Sequence, residues 1–234
     1  MIQYLDQSSG ARWFEYLLGE ILREIPTSAV KSAADVGCGV GKKTSQLAST
    51  FPAAEVLGFD FSESAIEVAS KHYSAVENLS FKSEDITRTD YQQRFDLVAA
   101  FDVLEHIDKW EVMLDGLIDA NNRYLVISVP VGKMRPYEVN IGHFRNFQRG
   151  QIEGFLESRG YRTMKTFYAG FPFYSPILRN LTNRFFEAYS ETPQSTMSTL
   201  AKKGHDVWYV LFRYLSMKQR GDIFIGAFER NENR

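Results

Sequence analysis

Glycines at alternate positions after a short apolar segment are the residues of this chain best suited to chemistry. The segment reads Asp35-Val36-Gly37-Cys38-Gly39-Val40-Gly41 and follows Ala33 and Ala34. Because glycine has no side chain, such a turn lets the backbone approach a ligand closely. Asp60 lies 19 residues beyond Gly41, at the end of the apolar run Val56-Leu57-Gly58-Phe59. Glycines for close approach and a carboxylate for ribose hydroxyls predict a site for an adenosine-containing cofactor.

Alternating strand-like and helix-like segments must position these residues, which predicts an α/β fold with a parallel sheet between helices. The pattern predicts an amphipathic helix over 11–25, ended by Pro26, and a helix from the N-cap Ser62 to about 75. Further helices are expected over 44–51, 108–120 and 148–158. Strands are expected over 33–37, 55–60, 79–82, 95–100, 124–129, 161–168 and 223–228.

The pattern changes after Gly170, where residues 171–218 are rich in aromatic residues and helical in period. We therefore expect one domain over 1–234. Within it we predict an N-terminal helical cap over 1–30, a cofactor-binding core over 31–170 and 222–230, and a helical insertion over 171–221. The insertion is expected to form either a substrate lid or an interface.

Composition excludes several classes of protein. A net charge of −2 gives no electrostatic case for binding nucleic acid, with a local basic patch left open. The single cysteine, Cys38, allows neither a disulfide framework nor a cysteine metal cluster. No cluster of His, Cys and Asp has metal-ligand spacing in the sequence, so no metal is expected. The N-terminus has no signal-peptide core, and the apolar run 207–212 is too short for a transmembrane segment. A cytoplasmic monomer or homodimer is expected.

The glycine turn departs from two common nucleotide-binding motifs. Lys42 stands where the dinucleotide fingerprint has its third glycine. Lys43-Thr44 lacks the glycine that precedes lysine in the Walker phosphate loop. A nicotinamide-dependent oxidoreductase is therefore disfavoured.

Several acidic and apolar segments, in order, resemble the class I S-adenosylmethionine-dependent methyltransferases. They are residues 35–41, Asp60, Ser83-Glu84-Asp85-Ile86, and 95–98 leading into Asp102-Val103-Leu104-Glu105-His106-Ile107. The similarity is greatest to the small-molecule branch that includes the ubiquinone-biosynthesis O-methyltransferases. The resemblance implies a Rossmann-like, doubly wound sheet, mostly parallel with an antiparallel last strand. It also implies helices on both faces of the sheet and S-adenosylmethionine as the cofactor.

The resemblance also implies a set of cofactor-binding residues: Asp35, Gly37, Cys38, Gly39, Gly41, Asp60, Phe61, Asp85, Ile86, Phe101 and Asp102. Asp35 suits a ligand that carries a sulfonium and an ammonium group, because both are cations. Plainer roles remain open: Asp60 as a helix N-terminal charge, Phe61 as core and Asp85 as a turn residue. Lys42 and Lys43 are interpreted as a solvated helix face.

Two histidines follow strand ends and are the candidate catalytic residues. His143 lies in Gly142-His143-Phe144-Arg145-Asn146-Phe147, which resembles a substrate-side segment of the family, and His106 follows the fourth predicted strand. Either could remove a proton from a hydroxyl acceptor. Arg145 is predicted to bind an acidic substrate group, with bracing of the loop through carbonyls as the alternative.

The acceptor is expected to be a small molecule, hydrophobic or aromatic, methylated on oxygen. The Asn/Asp-Pro-Pro-Tyr/Phe segment of enzymes that methylate planar amino groups is absent after the fourth strand. Aromatic residues of the insertion and the N-terminus are predicted to cover the pocket, with Tyr4, Trp13 and Phe173 as substrate contacts and Phe14, Phe171, Tyr174, Phe185, Phe186, Trp208 and Tyr209 as further candidates. They could instead form helix–helix core or a dimer contact. The alternative function is a non-catalytic, cofactor-binding partner protein.

Overall fold

The protein is built on one mixed sheet. The computed structural model describes residues 9–84, 94–181 and 199–231 of the chain. In the order β3-β2-β1-β4-β5-β7-β6, the strands are parallel except for β7, which is antiparallel to both β5 and β6. The strands are β1 Ser32–Val36, β2 Glu55–Asp60, β3 Leu79–Ser83, β4 Phe95–Phe101, β5 Asn121–Pro130, β6 Tyr161–Ala169 and β7 Ile223–Arg230. This confirms the predicted sheet with its antiparallel last strand.

Helices cover both faces of the sheet. They are α1 Ser9–Leu22, α2 Lys42–Thr50, α3 Glu63–His72, α4 Trp110–Asp119, α5 Pro136–Asn140, α6 Gln151–Ser158 and α7 Thr199–Val210. Short helical segments lie at Thr27–Ala29, Leu104–His106, Phe173–Leu178 and Leu211–Leu215. The last two and α7 lie between β6 and β7, as predicted for the insertion. The division of the chain into cap, core and insertion as functional units stays a prediction.

The central strand β4 shows why both faces must be covered. Leu97 and Ala99 belong to the core cluster beneath α1 and α2, whereas Val98 and Ala100 belong to the cluster beneath α4 and α6. Successive side chains of a strand point to opposite faces, so a continuous apolar run contributes to two cores. The long apolar runs of the sequence therefore encode a sheet between two layers of helix.

Helix α1 is part of the core. Trp13 is 1% exposed, and its ring lies 5.3 Å from the Tyr174 ring and 5.5 Å from the Phe212 ring. The N-terminal helix and the insertion are therefore packed together over one face of the sheet. None of the helices in the described ranges has the length and apolar composition needed to cross a bilayer. The predicted cytoplasmic location and oligomeric state stay predictions.

Two helices end earlier than the sequence predicts. Helix α1 ends at Leu22 and α3 at His72, each about three residues before the predicted end.

Two further differences have a visible cause. Strand β5 begins at Asn121, earlier than predicted, because the buried Asn121 side chain accepts a hydrogen bond from the Tyr161 hydroxyl at 2.7 Å and donates to the Tyr124 carbonyl at 2.6 Å. Helix α5 was not predicted. It begins after Arg135, whose backbone N–H donates to the Glu138 carboxylate at 2.6 Å.

Candidate functional site

The glycine turn between β1 and α2 is held by the end of β2. The backbone N–H groups of Gly37 and Cys38 both donate to the Phe59 carbonyl, each at 2.8 Å. Asp60 Oδ2 accepts the Gly39 N–H at 2.8 Å, and Asp60 Oδ1 accepts the Ser62 N–H at 2.9 Å. The Asp60 carboxylate therefore stabilises both the glycine turn and the start of α3. The role at a helix N-terminus that was considered for Asp60 is thus observed together with a contact to the turn.

The three glycines of the turn all have positive φ, for different structural reasons. At Gly41 (φ 84°) a Cβ would meet the Phe81 ring at 2.5 Å, and at Gly37 (φ 76°) it would meet Val103 at 2.5 Å. At Gly39 (φ 53°) a Cβ would meet nothing within 4 Å. Gly37 and Gly41 are thus required by packing, whereas Gly39 borders open space that a ligand can enter.

Asp35, at the end of β1, is 1% exposed and incompletely bonded. Its Oδ2 accepts the Thr44 hydroxyl at 2.7 Å, but its Oδ1 has no hydrogen-bond partner among the described residues. Burial raises the pKa of Asp35 to about 6, with a smaller contribution from Asp60 in the same direction. A buried carboxylate oxygen without a donor is well suited to a cationic ligand.

Two further residues predicted to contact the cofactor, Cys38 in the glycine turn and Phe61 after β2, differ in environment. Burial, reinforced by Asp35 and Asp60, raises the pKa of the Cys38 thiol, so it is not a reactive thiolate at neutral pH. Phe61 is 78% exposed, which rules out the core role considered for it. Its ring is free to contact a ligand at the end of β2.

Asp102 follows β4 and is joined to α2. It has φ 57°, uncommon for a residue other than glycine, and its Oδ1 accepts the Ser128 hydroxyl at 3.0 Å. Lys43 Nζ donates to Asp102 Oδ2 at 2.7 Å and lies 4.7 Å from the Phe14 ring centre. Burial opposes ionisation of Asp102, but Lys43 and Ser128 outweigh it and hold its pKa below the ordinary value. Lys43 is therefore part of the site, and its interpretation as a solvated helix residue was wrong.

Phe101, also predicted to contact the cofactor, is buried at the end of β4.

A cavity of about 500 Å³ opens at the carboxyl ends of β4 and β5. It is lined by Gly10, Ala11, Phe14, Glu15, Lys42, Lys43, Asp102, Glu105, His106, Val129, Pro130, Tyr137, Glu138, Ile141, His143, Tyr174, Arg179, Asp222 and Ile223. The fold thus brings Asp102, predicted to bind the cofactor, and the two candidate catalytic residues, His106 and His143, into one cavity. The carboxyl edge of a parallel sheet is where α/β proteins bind ligands.

Both histidines lie against a buried carboxyl group. The His106 and His143 rings meet edge to face with centres 4.6 Å apart, and Glu105 is 1% exposed. One potential ligand atom from each of the three residues lies within 4.8 Å of the others. Burial, with help from the charge of Asp102, raises the pKa of Glu105, and burial together with His106 lowers the pKa of His143. The expectation that no metal-ligand cluster exists was based on local spacing, which cannot detect residues brought together by the fold.

Arg145 braces the loop that carries His143. Its guanidinium donates to the Ile107 carbonyl at 3.2 Å and to the Asp108 carbonyl at 2.9 Å. It is absent from the residues that line the cavity. The alternative role of bracing is therefore the one that the structure shows, and the expected role as a substrate contact is not supported.

Of the aromatic residues predicted to cover the pocket, Phe14 and Tyr174 line the cavity, whereas Trp13 and Phe173, the two named first as substrate contacts, do not. Trp13 packs in the core and Phe173 packs against it. The periodicity identified the two segments, but it could not show which neighbour faces the cavity. Tyr4, Asp85, Ile86, Phe185 and Phe186 lie outside the described residues.

Sequence reasoning missed a group of ion-paired side chains around Arg179 that also lines the cavity. Arg179, 4% exposed, forms an ion pair with Glu138 and lies 3.4 Å from Asp222, and its Nε donates to the Tyr137 hydroxyl at 3.3 Å. These residues come from α5, the insertion and the start of β7. No local motif connects them, so only the fold reveals the group.

The chain belongs to a methyltransferase family. The family model described as a methyltransferase domain matches residues 28–210, which is more than half of the chain. Members of this family use S-adenosylmethionine as the methyl donor, which confirms the resemblance and the cofactor expected from the sequence.

Similar proteins include enzymes named for carboxylic acids. The chain is 34% identical over 82 residues to a malonyl-[acyl-carrier protein] O-methyltransferase of Bacillus anthracis, covering 35% of this chain and 30% of that protein. It is 30% identical over 119 residues to a trans-aconitate 2-methyltransferase of Methylobacterium radiotolerans, covering 50% of this chain and 45% of that protein. The chain thus spans less than half the length of either relative.

Solved structures of methyltransferases share the fold. Magnesium protoporphyrin IX methyltransferase of Synechocystis PCC 6803, with bound S-adenosylmethionine, matches with a TM-score of 0.58 and 16% identity, over 94% of this chain and 81% of that one. Phosphoethanolamine N-methyltransferase 2 of Haemonchus contortus matches with a TM-score of 0.62 and 20% identity, over 93% of this chain and 53% of that one. At these identities the likeness shows the fold alone.

Alanine substitutions at two glycines of the turn should separate folding from ligand binding. Gly41→Ala should lower the free energy of unfolding by about 2–5 kcal/mol, because the left-handed backbone costs about 1–2 kcal/mol and the overlap of the new methyl group with Phe81 adds about 1–3 kcal/mol. Gly39→Ala should cost only about 1–2 kcal/mol for its left-handed backbone. It should weaken binding of S-adenosylhomocysteine at least tenfold, because the methyl group enters the open space. Denaturant unfolding and calorimetric titration measure the two effects.

Gly150→Ala is the matched control, since Gly150, the N-cap of α6, also has a positive φ (82°) and a Cβ there meets nothing within 4 Å. It should leave S-adenosylhomocysteine binding unchanged. Wild-type affinity in Gly39→Ala would contradict the assignment of Gly39 to the ligand face.

Proposed function

We propose that this chain transfers the methyl group of S-adenosylmethionine to a hydroxyl oxygen of a small molecule in the cavity. When bound, the donor supplies a methyl group on positively charged sulfur: the oxygen–carbon bond forms as the carbon–sulfur bond breaks, the electron pair goes to sulfur and the acceptor loses a proton. One observation carries the proposal. The glycine turn and a cavity with two imidazoles lie at the same edge of the sheet, connected by the Lys43–Asp102 ion pair.

The residues around the turn fit the donor. The unpartnered Oδ1 of Asp35 is suited to the ammonium group, the open space at Gly39 to the methionine portion, and Asp60 to the ribose hydroxyls. Phe61, exposed at the end of β2, is suited to stacking on the adenine. Asp85 and Ile86 stay predicted for the adenine edge, and Cys38, Phe101 and Asp102 for the methionine side.

The charges of the cavity favour a hydroxyl on an apolar or aromatic body over a carboxylate. Lys42 is paired with Glu15, Lys43 with Asp102, and Arg179 with Glu138. An acidic acceptor would have to compete with these carboxylates for its counterion. The apolar and aromatic lining residues, including Phe14 and Tyr174, instead offer surface to an uncharged acceptor.

His143 and His106 are proposed to promote loss of the acceptor's proton. The lowered pKa of His143 leaves its imidazole uncharged at neutral pH, with a lone pair available. A neutral hydroxyl is a weak nucleophile, so methyl transfer to oxygen benefits from such a group at the cavity wall. Positioning of the acceptor by the rest of the cavity supplies the other part of the rate enhancement.

An acceptor panel tests the proposed reaction. Purified protein with S-adenosylmethionine should convert phenols to methyl ethers with kcat/KM at least tenfold higher than for amines or carboxylic acids of matched shape. Each lysine and arginine among the described lining residues already pairs with a carboxylate, which disfavours an acid. The imidazoles favour a hydroxyl, which must lose its proton to react, over an amine. Release of S-adenosylhomocysteine and product mass are the measurements. Turnover restricted to amines or carboxylates would contradict the proposal. Cofactor binding without turnover of any class would favour the non-catalytic alternative.

The pH dependence of cofactor binding tests Asp35. The ligand's ammonium group should bind the ionised carboxylate, so affinity should fall as the pH falls through the Asp35 pKa of about 6. A single site of this pKa gives about tenfold weaker binding of S-adenosylhomocysteine at pH 5 than at pH 7. Calorimetry on Asp35→Asn should show weaker binding at pH 7 and little dependence on pH. An unchanged profile in this variant would remove Asp35 from the ammonium site.

A further inference from the structure

Three side chains with metal-ligating atoms converge at the wall of the cavity. Glu105 and His106 lie on the turn Leu104–His106 after β4, and His143 lies on the loop after α5. The Phe144 N–H donates to the Glu105 carbonyl at 2.8 Å, which holds the loop against the turn. One ligand atom of each residue lies within 4.8 Å of the others.

Two of these residues carry buried polar atoms without partners. Glu105 is 1% exposed, yet its Oε2 has no hydrogen-bond partner in the described part of the chain. His143 Nδ1 is also buried without a hydrogen bond of ordinary geometry, and the Asn146 side chain is its polar neighbour. Leaving such atoms unsatisfied costs free energy, and native proteins rarely do so without a reason. A bound cation would satisfy a carboxylate oxygen and an imidazole lone pair together.

His106 is oriented as metal-binding histidines commonly are. Its Nδ1 lies 3.2 Å from the Gly142 carbonyl oxygen. A carbonyl can only accept a hydrogen bond, so Nδ1 carries the proton and Nε2 keeps its lone pair. A backbone carbonyl that fixes the tautomer in this way is a frequent second partner of a metal ligand.

We propose that Glu105, His106 and His143 bind one divalent transition-metal ion, with Zn²⁺ as the best fit. Two imidazoles and one carboxylate suit Zn²⁺ better than Ca²⁺, Mg²⁺ or Mn²⁺, which prefer oxygen ligands. Ligand bonds of about 2.0–2.2 Å require neighbouring ligand atoms about 3–3.5 Å apart, so binding draws the three side chains slightly together. Asp102 is not counted as a ligand, because its two oxygens accept from Lys43 and Ser128.

With three protein ligands, the ion would keep at least one coordination position, which would take the acceptor's hydroxyl oxygen. This part rests on the proposed function. Coordination lowers the pKa of the hydroxyl, so its proton passes to water and its oxygen lone pair becomes the nucleophile. The ion keeps its oxidation state. His143 and His106 then promote proton loss as ligands of the ion, and the carbon–sulfur electron pair still goes to sulfur.

Metal titration tests the site independently of activity. Tag-free wild-type protein, stripped with chelator, should bind one equivalent of Zn²⁺ by calorimetry and show the visible absorption of a low-symmetry site with Co²⁺. Glu105→Gln and His143→Gln should bind Zn²⁺ at least tenfold more weakly. Removing a residue that merely hydrogen-bonds to a metal ligand typically lowers metal affinity about 10–100-fold, and removing the ligand itself should cost no less. His72→Gln, which removes an exposed histidine at the end of α3, should bind like wild type.

A titration with S-adenosylhomocysteine on the same samples shows that the variants are folded, since both should keep wild-type affinity for it. Absence of Zn²⁺ binding in wild type, or wild-type affinity in both variants, would overturn the metal site. Phenol methylation that survives chelation unchanged would overturn its catalytic part while leaving the proposed function intact. Zn²⁺ binding without turnover of any hydroxyl acceptor would remove the proposed function and leave the site.

Discussion

The structure depends on the way the end of β2 holds the turn that follows β1. The two strands are parallel, with Val36 paired to Phe59, so the Phe59 carbonyl and the Asp60 carboxylate meet the backbone N–H groups of the glycine turn. These bonds fix a backbone that only glycine adopts freely. Because β4 pairs with the other side of β1, Asp102 and Glu105 emerge at the same edge. The proposed donor site and the proposed acceptor cavity are therefore neighbours by topology.

Much of the fold could be predicted because its signals are local. The apolar run before Asp60 ends where β2 ends, Glu55–Asp60, and Ser62 caps α3 by accepting the Ala65 N–H. Where the prediction failed, the determining contact was distant in sequence. Asn121 joins β5 because Tyr161, 40 residues later, satisfies its side chain. A polar residue in a strand is indistinguishable from a turn residue until its partner is known.

The same contrast between local signals and distant contacts separates the proposed donor half of the site, at the glycine turn, from the proposed acceptor half, at the cavity. The donor half lies in consecutive segments with a recognisable order, so its glycines and Asp60 could be named from the sequence. The acceptor half is assembled from β4, the α5 loop and the insertion, and its properties arise from pairing: Lys43 with Asp102, and Glu105 with two histidines. Sequence could rank His143 as a candidate, but it could not show that a buried carboxyl group faces it.

A crystal structure with S-adenosylhomocysteine tests most directly whether these two halves form one active site. The account predicts the ligand against residues 37–41, with its ribose at Asp60, its amino group at Asp35 and its sulfur facing the cavity lined by His106 and His143. A ligand bound elsewhere, or bound at the glycine turn with its sulfur directed away from that cavity, would contradict it.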